Sequence, residues 1–225
     1  MRGIKQQGRC CGCHGIPGCG KTILASAIVE HLKINFSQVS SSDVLIAYYY
    51  FRFDDMEKQN AQNCLSSILA QTTSKQTSID DCVKSLFEIS GRVGKRPETS
   101  QLLHVLREVF QKYDKVFLIL DALDECPEDG NHQSQLLEAI GELHSSTQAR
   151  ILCLSRDISN IRHTMESAPN TKHLPIRDDL VNADIRRFGQ EAILSPRFRK
   201  WPATAKDEVA QALADKAGGM YAITV

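Results

Sequence analysis

His14 is followed by Gly15-Ile16-Pro17-Gly18-Cys19-Gly20-Lys21-Thr22, which fits the spacing G-x-x-x-x-G-K-[ST] at every fixed position. Such a run does its chemistry mainly through the backbone. Glycines let successive N–H groups turn inward around a phosphate, where side chains would crowd them. Lys21 adds a point charge able to reach the β- and γ-phosphates, and the Thr22 hydroxyl is placed to ligate the Mg²⁺ that bridges them. The nucleotide-contacting set read from this run is Gly15, Pro17, Gly18, Cys19, Gly20, Lys21, Thr22 and Ile23. Cys19 stands at a free position, as a space-filling thiol or as an oxidisable one beside a helix N-terminus.

A second set of residues completes the chemistry. Val116-Phe117-Leu118-Ile119-Leu120 reads as a strand buried on both faces, and it runs into Asp121-Ala122-Leu123-Asp124-Glu125. Ligands of parallel sheets bind outside the carboxyl ends of the strands. Asp121 is therefore expected to hold Mg²⁺ through a water, and Asp124 or Glu125 to orient and deprotonate the water that attacks the γ-phosphate. A further apolar run, Arg150-Ile151-Leu152-Cys153-Leu154-Ser155-Arg156, would bring Arg156 to the same rim as a sensor of the γ-phosphate.

Positioning these groups requires alternating strands and helices, which argues for a doubly wound α/β sheet. A helix with Leu24, Ala27, Ile28 and Leu32 on one face is predicted over 21–33, and a strand over 44–51. Helices are predicted over 61–71 and 79–89, the second capped by Ser78. The clearest amphipathic helix opens at Thr99 or Ser100 and carries its stripe from Leu102 to Tyr113. A loop over 127–132, a helix over 134–144 and a short strand at 172–176 follow. Beyond Leu180 the pattern is purely helical, over 181–193 and 205–217. The division expected is a short N-terminal stretch, 1–8, an α/β core, 9–178, and a helical extension, 179–225, that stops inside an element. The segment feeding the glycine loop, Arg9-Cys10-Cys11-Gly12-Cys13-His14, is a poor strand by composition, because buried parallel strands are usually rich in Val, Ile or Leu.

Composition narrows the classes. At 225 residues and 42% hydrophobic content the chain can build one α/β core. Lys plus Arg and Asp plus Glu are equal in number, so no global field favours nucleic acid or an acidic membrane. No apolar stretch reaches membrane-spanning length, and the first residues lack a signal-peptide core. A cytoplasmic setting with eight reduced cysteines is expected. Cys10-Cys11-Gly12-Cys13-His14 also spells C-x-x-C-H, but haem attachment needs export and a zinc site needs a second ligand pair.

Taken together, several strings resemble the NACHT family of P-loop NTPases, within it the fungal branch related to the nephrocystin-3-like nucleotide-binding domain. They are His14 to Thr22, Tyr48-Tyr49-Tyr50-Phe51-Arg52-Phe53-Asp54-Asp55, Leu118 to Cys126, Leu154-Ser155-Arg156 and Lys216-Ala217-Gly218-Gly219-Met220-Tyr221. The resemblance implies a signalling switch that holds ADP when off and ATP with Mg²⁺ when on, and self-associates through its nucleotide domain. Slow hydrolysis would reset it. It also implies effector and repeat domains that this sequence does not contain, and a setting in fungal non-self recognition. Two other classes compete. A small-molecule P-loop kinase would need an arginine-rich lid, which is absent from the sequence. A non-catalytic interaction fragment is suggested by the thiol-rich first strand. The absence of Asn-Lys-x-Asp favours ATP over GTP.

Overall fold

The thiol-rich segment that leads into the glycine loop is an interior strand. The computed structural model describes residues 10–39, 43–73, 79–167, 171–217 and 220. In it β1 (Cys10–His14) pairs in parallel with β4 (Arg150–Ser155) on one side and β5 (Thr171–Pro175) on the other. β2 (Val44–Tyr50) and β3 (Lys115–Asp121) extend the sheet to the order β2-β3-β4-β1-β5, parallel throughout. The composition of β1 follows from what lies over it. A Cβ on Gly12 would sit 3.5 Å from His173 Nδ1 and 3.9 Å from Met165 Cγ. On the opposite face Cys13 packs with Ala25 and Val29. Small residues fill this crowded position where Val or Ile would overpack it.

Helices cover both faces, so the doubly wound α/β architecture is the one the chain adopts. α1 (Lys21–Asn35) lies on the face that carries Val44, Ile46, Ile119 and Leu154. α2 (Ala61–Thr73), α4 (Thr99–Phe110), α5 (His132–Ser146) and α6 (Ser159–Ser167) bury their apolar stripes on the other. α3 (Asp81–Val93) stacks on α4, turning Val83 and Leu86 inward and leaving Phe87 and Ile89 exposed. α7 (Asp178–Ile193) and α8 (Ala203–Ala217) pack on each other, close enough that a Cβ on Gly189 would lie 3.8 Å from Ala210 Cα.

Departures from the expected elements have local causes. α4 is capped by Glu98 rather than Thr99 or Ser100. Its carboxylate takes an amide of the first turn while Gln101 Oε1 takes the Glu98 N–H at 2.9 Å. The helix stops at Phe110, so Tyr113 is buried outside it, its hydroxyl donating to Thr72 O at 3.4 Å. α5 begins two residues early, after Asn131 takes a left-handed conformation with φ 63°. α6 has no counterpart in the sequence reading, because its core-facing stripe is only Ile161 and Met165. Ser78, the first eight residues and the last five lie outside the described residues, as do Gly218 and Gly219 of the resemblance.

Leu106 on α4 is fully buried, and its truncation leaves a cavity. Leu106→Ala should lower unfolding free energy by about 2–5 kcal/mol in urea titration. Phe87→Ser, on the exposed side of α3, should change it by no more than about 0.5 kcal/mol.

Candidate nucleotide site

The loop between β1 and α1 is built for close approach of an anion. Gly18 and Gly20 have φ 72° and 89°, a left-handed backbone that side chains disfavour. Gly15 is constrained by space instead, since a Cβ there would lie 2.7 Å from Cys19 Sγ and 3.1 Å from Ile176 Cβ. α1 starts at Gly20 without a side-chain cap and with no acidic residue in its first turn. Its leading N–H groups and positive dipole end therefore face the loop uncompensated. Lys21 Nζ folds back to donate to Gly15 O at 2.9 Å and Ile16 O at 2.8 Å. Cys19 points away from the cleft and is buried with Val181, Ile185 and Ile176, so α7 rests directly on the loop.

Thr22, the next residue of α1, donates its hydroxyl to Asp121 Oδ2 at 2.6 Å. Asp121 is 1% exposed at the end of β3, and its other oxygen, Oδ1, is buried without a hydrogen-bond partner. Burial pushes its carboxyl above the ordinary range, against the opposing pull of the Thr22 hydroxyl, the Ala122 backbone amide and Lys21. A buried carboxylate with an open oxygen beside a hydroxyl is a hard-oxygen donor pair, and it suits Mg²⁺. The residues present thus fit the ion expected from the sequence.

Past Asp121 the chain kinks at Ala122, which holds φ 58° without being glycine. Backbone strain of this kind costs on the order of 1–3 kcal/mol. The 3₁₀ turn that follows, Leu123–Glu125, sends two carboxylates to opposite neighbours of β3. Asp124 reaches past β4. Its Oδ1 accepts the Arg156 N–H at 2.8 Å and its Oδ2 accepts Arg156 Nε at 2.5 Å. Glu125 reaches past β2, where its Oε2 accepts the Phe53 N–H at 2.9 Å. Burial raises the Glu125 carboxyl above its usual range as well.

Gly18, Gly20, Lys21, Thr22, Asp121, Asp124, Glu125 and Arg156 thus meet in one open cleft of about 740 Å³, with Pro17 and Ile23 on its rim. Cys19 and Gly15 support it from behind. Phe53 is the residue the sequence reading missed. It lies three positions past β2, whose end pairs Tyr50 with Asp121. Only the strand order brings it to Glu125. The C-x-x-C-H string of β1 does not converge, because Cys10 and Cys13 belong to cores on opposite faces of the sheet. Among the described residues no group of three or more His, Cys, Asp or Glu is arranged to hold a metal.

This parallel sheet, with a glycine loop at the end of β1 and a carboxylate at the end of β3, is a P-loop ATPase-like fold. Solved structures agree at the level of fold. The Aeropyrum pernix ORC1 protein in complex with DNA superposes with a TM-score of 0.50 at 14% identity, covering 96% of this chain and 56% of that one. The Drosophila ORC bound to DNA gives 0.50 at 11% identity, covering 92% and 47%. The chain spans about half the length of these structures. The family described as nephrocystin 3, N-terminal matches residues 2–156, and the chain belongs to it. No curated protein gives a significant match. No helix among the described residues is long and apolar enough to cross a membrane.

A buried carboxyl whose pKa is raised on folding holds its proton more tightly in the folded state. Stability is then greatest in acid and falls as pH rises through the folded value. Asp121→Asn removes that fall while its amide oxygen can still accept from Thr22. In EDTA, the melting midpoint of the Asn variant should exceed the parent's at neutral pH and approach it in acid. Equal midpoints throughout would mean that Asp121 carries no such burden.

Proposed function

We propose that the cleft binds ATP or ADP with Mg²⁺ and acts as the slow NTPase switch of a NACHT-type signalling protein. The observation that carries this reading is the Thr22–Asp121 pair in the cleft wall, with the second carboxylate oxygen buried and without a hydrogen-bond partner. The loop amides and Lys21 would hold the β- and γ-phosphates, and Thr22 and Asp121 would hold the ion. When bound, Mg²⁺ supplies charge neutralisation across those phosphates. Arg156 keeps its outer guanidinium half exposed while Asp124 grips its inner edge, so it can face a γ-phosphate in a fixed pose. Asp124 is spent on that grip, which leaves Glu125 to orient and deprotonate the attacking water.

Slow turnover follows from the Glu125 tether. Its carboxylate is engaged by the Phe53 amide and must be released or shared before it serves a water. The same tether favours a second reading, a nucleotide binder that does not turn over. Self-association through the cleft face is supported by Phe53 and Ile23, which are 77% and 69% exposed beside it. The eight free cysteines fit a reducing, cytoplasmic setting. Charges of 27 against 27 keep nucleic acid out of this reading. The fungal non-self-recognition setting rests on the resemblance, and the division of the chain at 179 on the helical pattern beyond Leu180.

Lys21→Ala removes a charge-assisted contact and should weaken Mg²⁺-ADP binding by about 10- to 100-fold in calorimetric titration. Unchanged affinity would move the phosphate site elsewhere. In single-turnover assays Glu125→Gln should slow ATP cleavage at least about 100-fold while leaving ATP affinity near the parent's. If the parent shows no cleavage at all, the binder reading replaces the switch. If the Gln variant matches an active parent, Glu125 is not the base. Asp124→Asn should slow cleavage, but by no more than Arg156→Ala, since the first loosens the guanidinium that the second removes.

A further inference from the structure

The connection between α7 and α8 concentrates positive charge on a chain whose overall charge is zero. Between Glu191 and Asp207 lie Arg197, Arg199, Lys200 and Lys206, and no acidic residue. Arg197, Arg199 and Lys200 are exposed, and among the described residues none of them forms an ion pair. Apolar residues are interleaved with these cations. Leu194, at the end of α7, is 77% exposed, and Trp201 is 42% exposed. Trp201 meets Phe198 edge to face, with ring centroids 5.2 Å apart. Backbone bonds hold the segment in shape. A 3₁₀ turn spans Pro196–Phe198, after which the Arg199 N–H donates to Pro196 O at 3.2 Å and the Trp201 N–H to Phe198 O at 3.1 Å. The surface is therefore formed before any partner arrives, which lowers the cost of binding. About 20 Å of helix separates it from Val181, the residue of α7 that packs on Cys19 of the glycine loop.

We infer that this connection is an interfacial anchor that seats the chain on the surface of an anionic phospholipid bilayer. Lys and Arg are drawn to the negative potential of such a surface, and Trp, Phe and Leu enter the boundary between headgroups and acyl chains. Because charged and apolar residues alternate here, the segment lies on a bilayer and does not cross it. The neutral balance of the whole chain does not oppose this, since charges beyond a Debye length of about 8 Å are largely screened. The acidic neighbours leave the patch uncompensated. Glu191 is paired with Arg187 at 3.2 Å, and Asp207 and Glu208 follow only in the second turn of α8. A nucleic-acid strand is the competing polyanion, and the aromatic geometry opposes it. Base stacking needs a free ring face, whereas Phe198 is half-buried with Trp201 set against it. Leu194, the most exposed of the three apolar residues, has no part in stacking but is a residue type that enters acyl chains.

Trp201 is the only tryptophan of the chain, so its emission reports on this segment alone. The full chain, without nucleotide, is titrated with vesicles of equal parts phosphatidylserine and phosphatidylcholine, and with vesicles of phosphatidylcholine only. With the anionic vesicles the emission should shift to the blue and the chain should sediment with the lipid. With the neutral vesicles it should do neither. Arg197→Gln, Arg199→Gln and Lys200→Gln together should weaken partition about 100-fold, roughly fivefold for each cation. Leu194→Ser should weaken it at least about tenfold. These side chains are exposed, so the variants should fold like the parent. Lys84→Gln, Arg92→Gln and Lys95→Gln together remove as many cations from the α3 side and should bind like the parent. The inference fails if the anionic vesicles do not bind the chain, if the neutral ones bind it equally, or if both triple variants are weakened alike. A single-stranded oligonucleotide that quenches Trp201 without a blue shift, where vesicles leave it unchanged, would assign the patch to nucleic acid and overturn the membrane reading. No outcome depends on the nucleotide cleft.

Discussion

Asp121 is a carboxylate almost wholly buried at the wall of the cleft, and the site is organised around that fact. It ends the buried strand β3 and takes the Thr22 hydroxyl of α1, so one hydrogen bond joins the sheet to the helix that carries the phosphate loop. Burying a carboxylate with one oxygen unpartnered opposes folding. Such a group persists where the surrounding packing holds it, and here Leu118, Leu120 and Leu123 are nearly fully buried around it. The chain thus sacrifices stability at the one point where a cation would recover it, a common trade between stability and function.

The left-handed residue after Asp121 turns this single anchor into a fork. Because β3 lies between β2 and β4, a turn at its end can deliver one carboxylate to each side. Asp124 grips Arg156 through both backbone and guanidinium, fixing the arginine to the sheet. Glu125 is held by the amide that follows β2. Two adjacent acidic residues with identical formal chemistry thereby receive different tasks from their neighbours alone. On the proposed function the one held by an arginine would position it, and the one held by a single neutral amide would serve a water.

The helices after β5 are tied to the same loop from behind. Cys19, inside the loop, packs with Val181 and Ile185 of α7, and Gly15 is small because Cys19 and Ile176 crowd it. The loop therefore touches α7 directly, and α7 packs on α8.

The glycine loop was legible in the sequence because its pattern is local: Gly18, Gly20 and Lys21 lie within a few residues of one another. The β3 strand and its carboxylates were legible for a similar reason, since a short apolar run ending in acid is a local pattern. The sequence could not assign partners to Asp124 and Glu125, because these depend on which strands flank β3, and strand order leaves no local trace. Phe53 acts through a backbone amide, which every non-proline residue owns, so its identity carried no signal. β1 looked unfit because apolar bulk was counted without the helix above it. Met165 and His173 take up the space, and only small residues fit beneath them. Local chemistry was thus written in the sequence. The partners of each charged group, and the reason for each small one, were decided by packing between residues far apart along the chain.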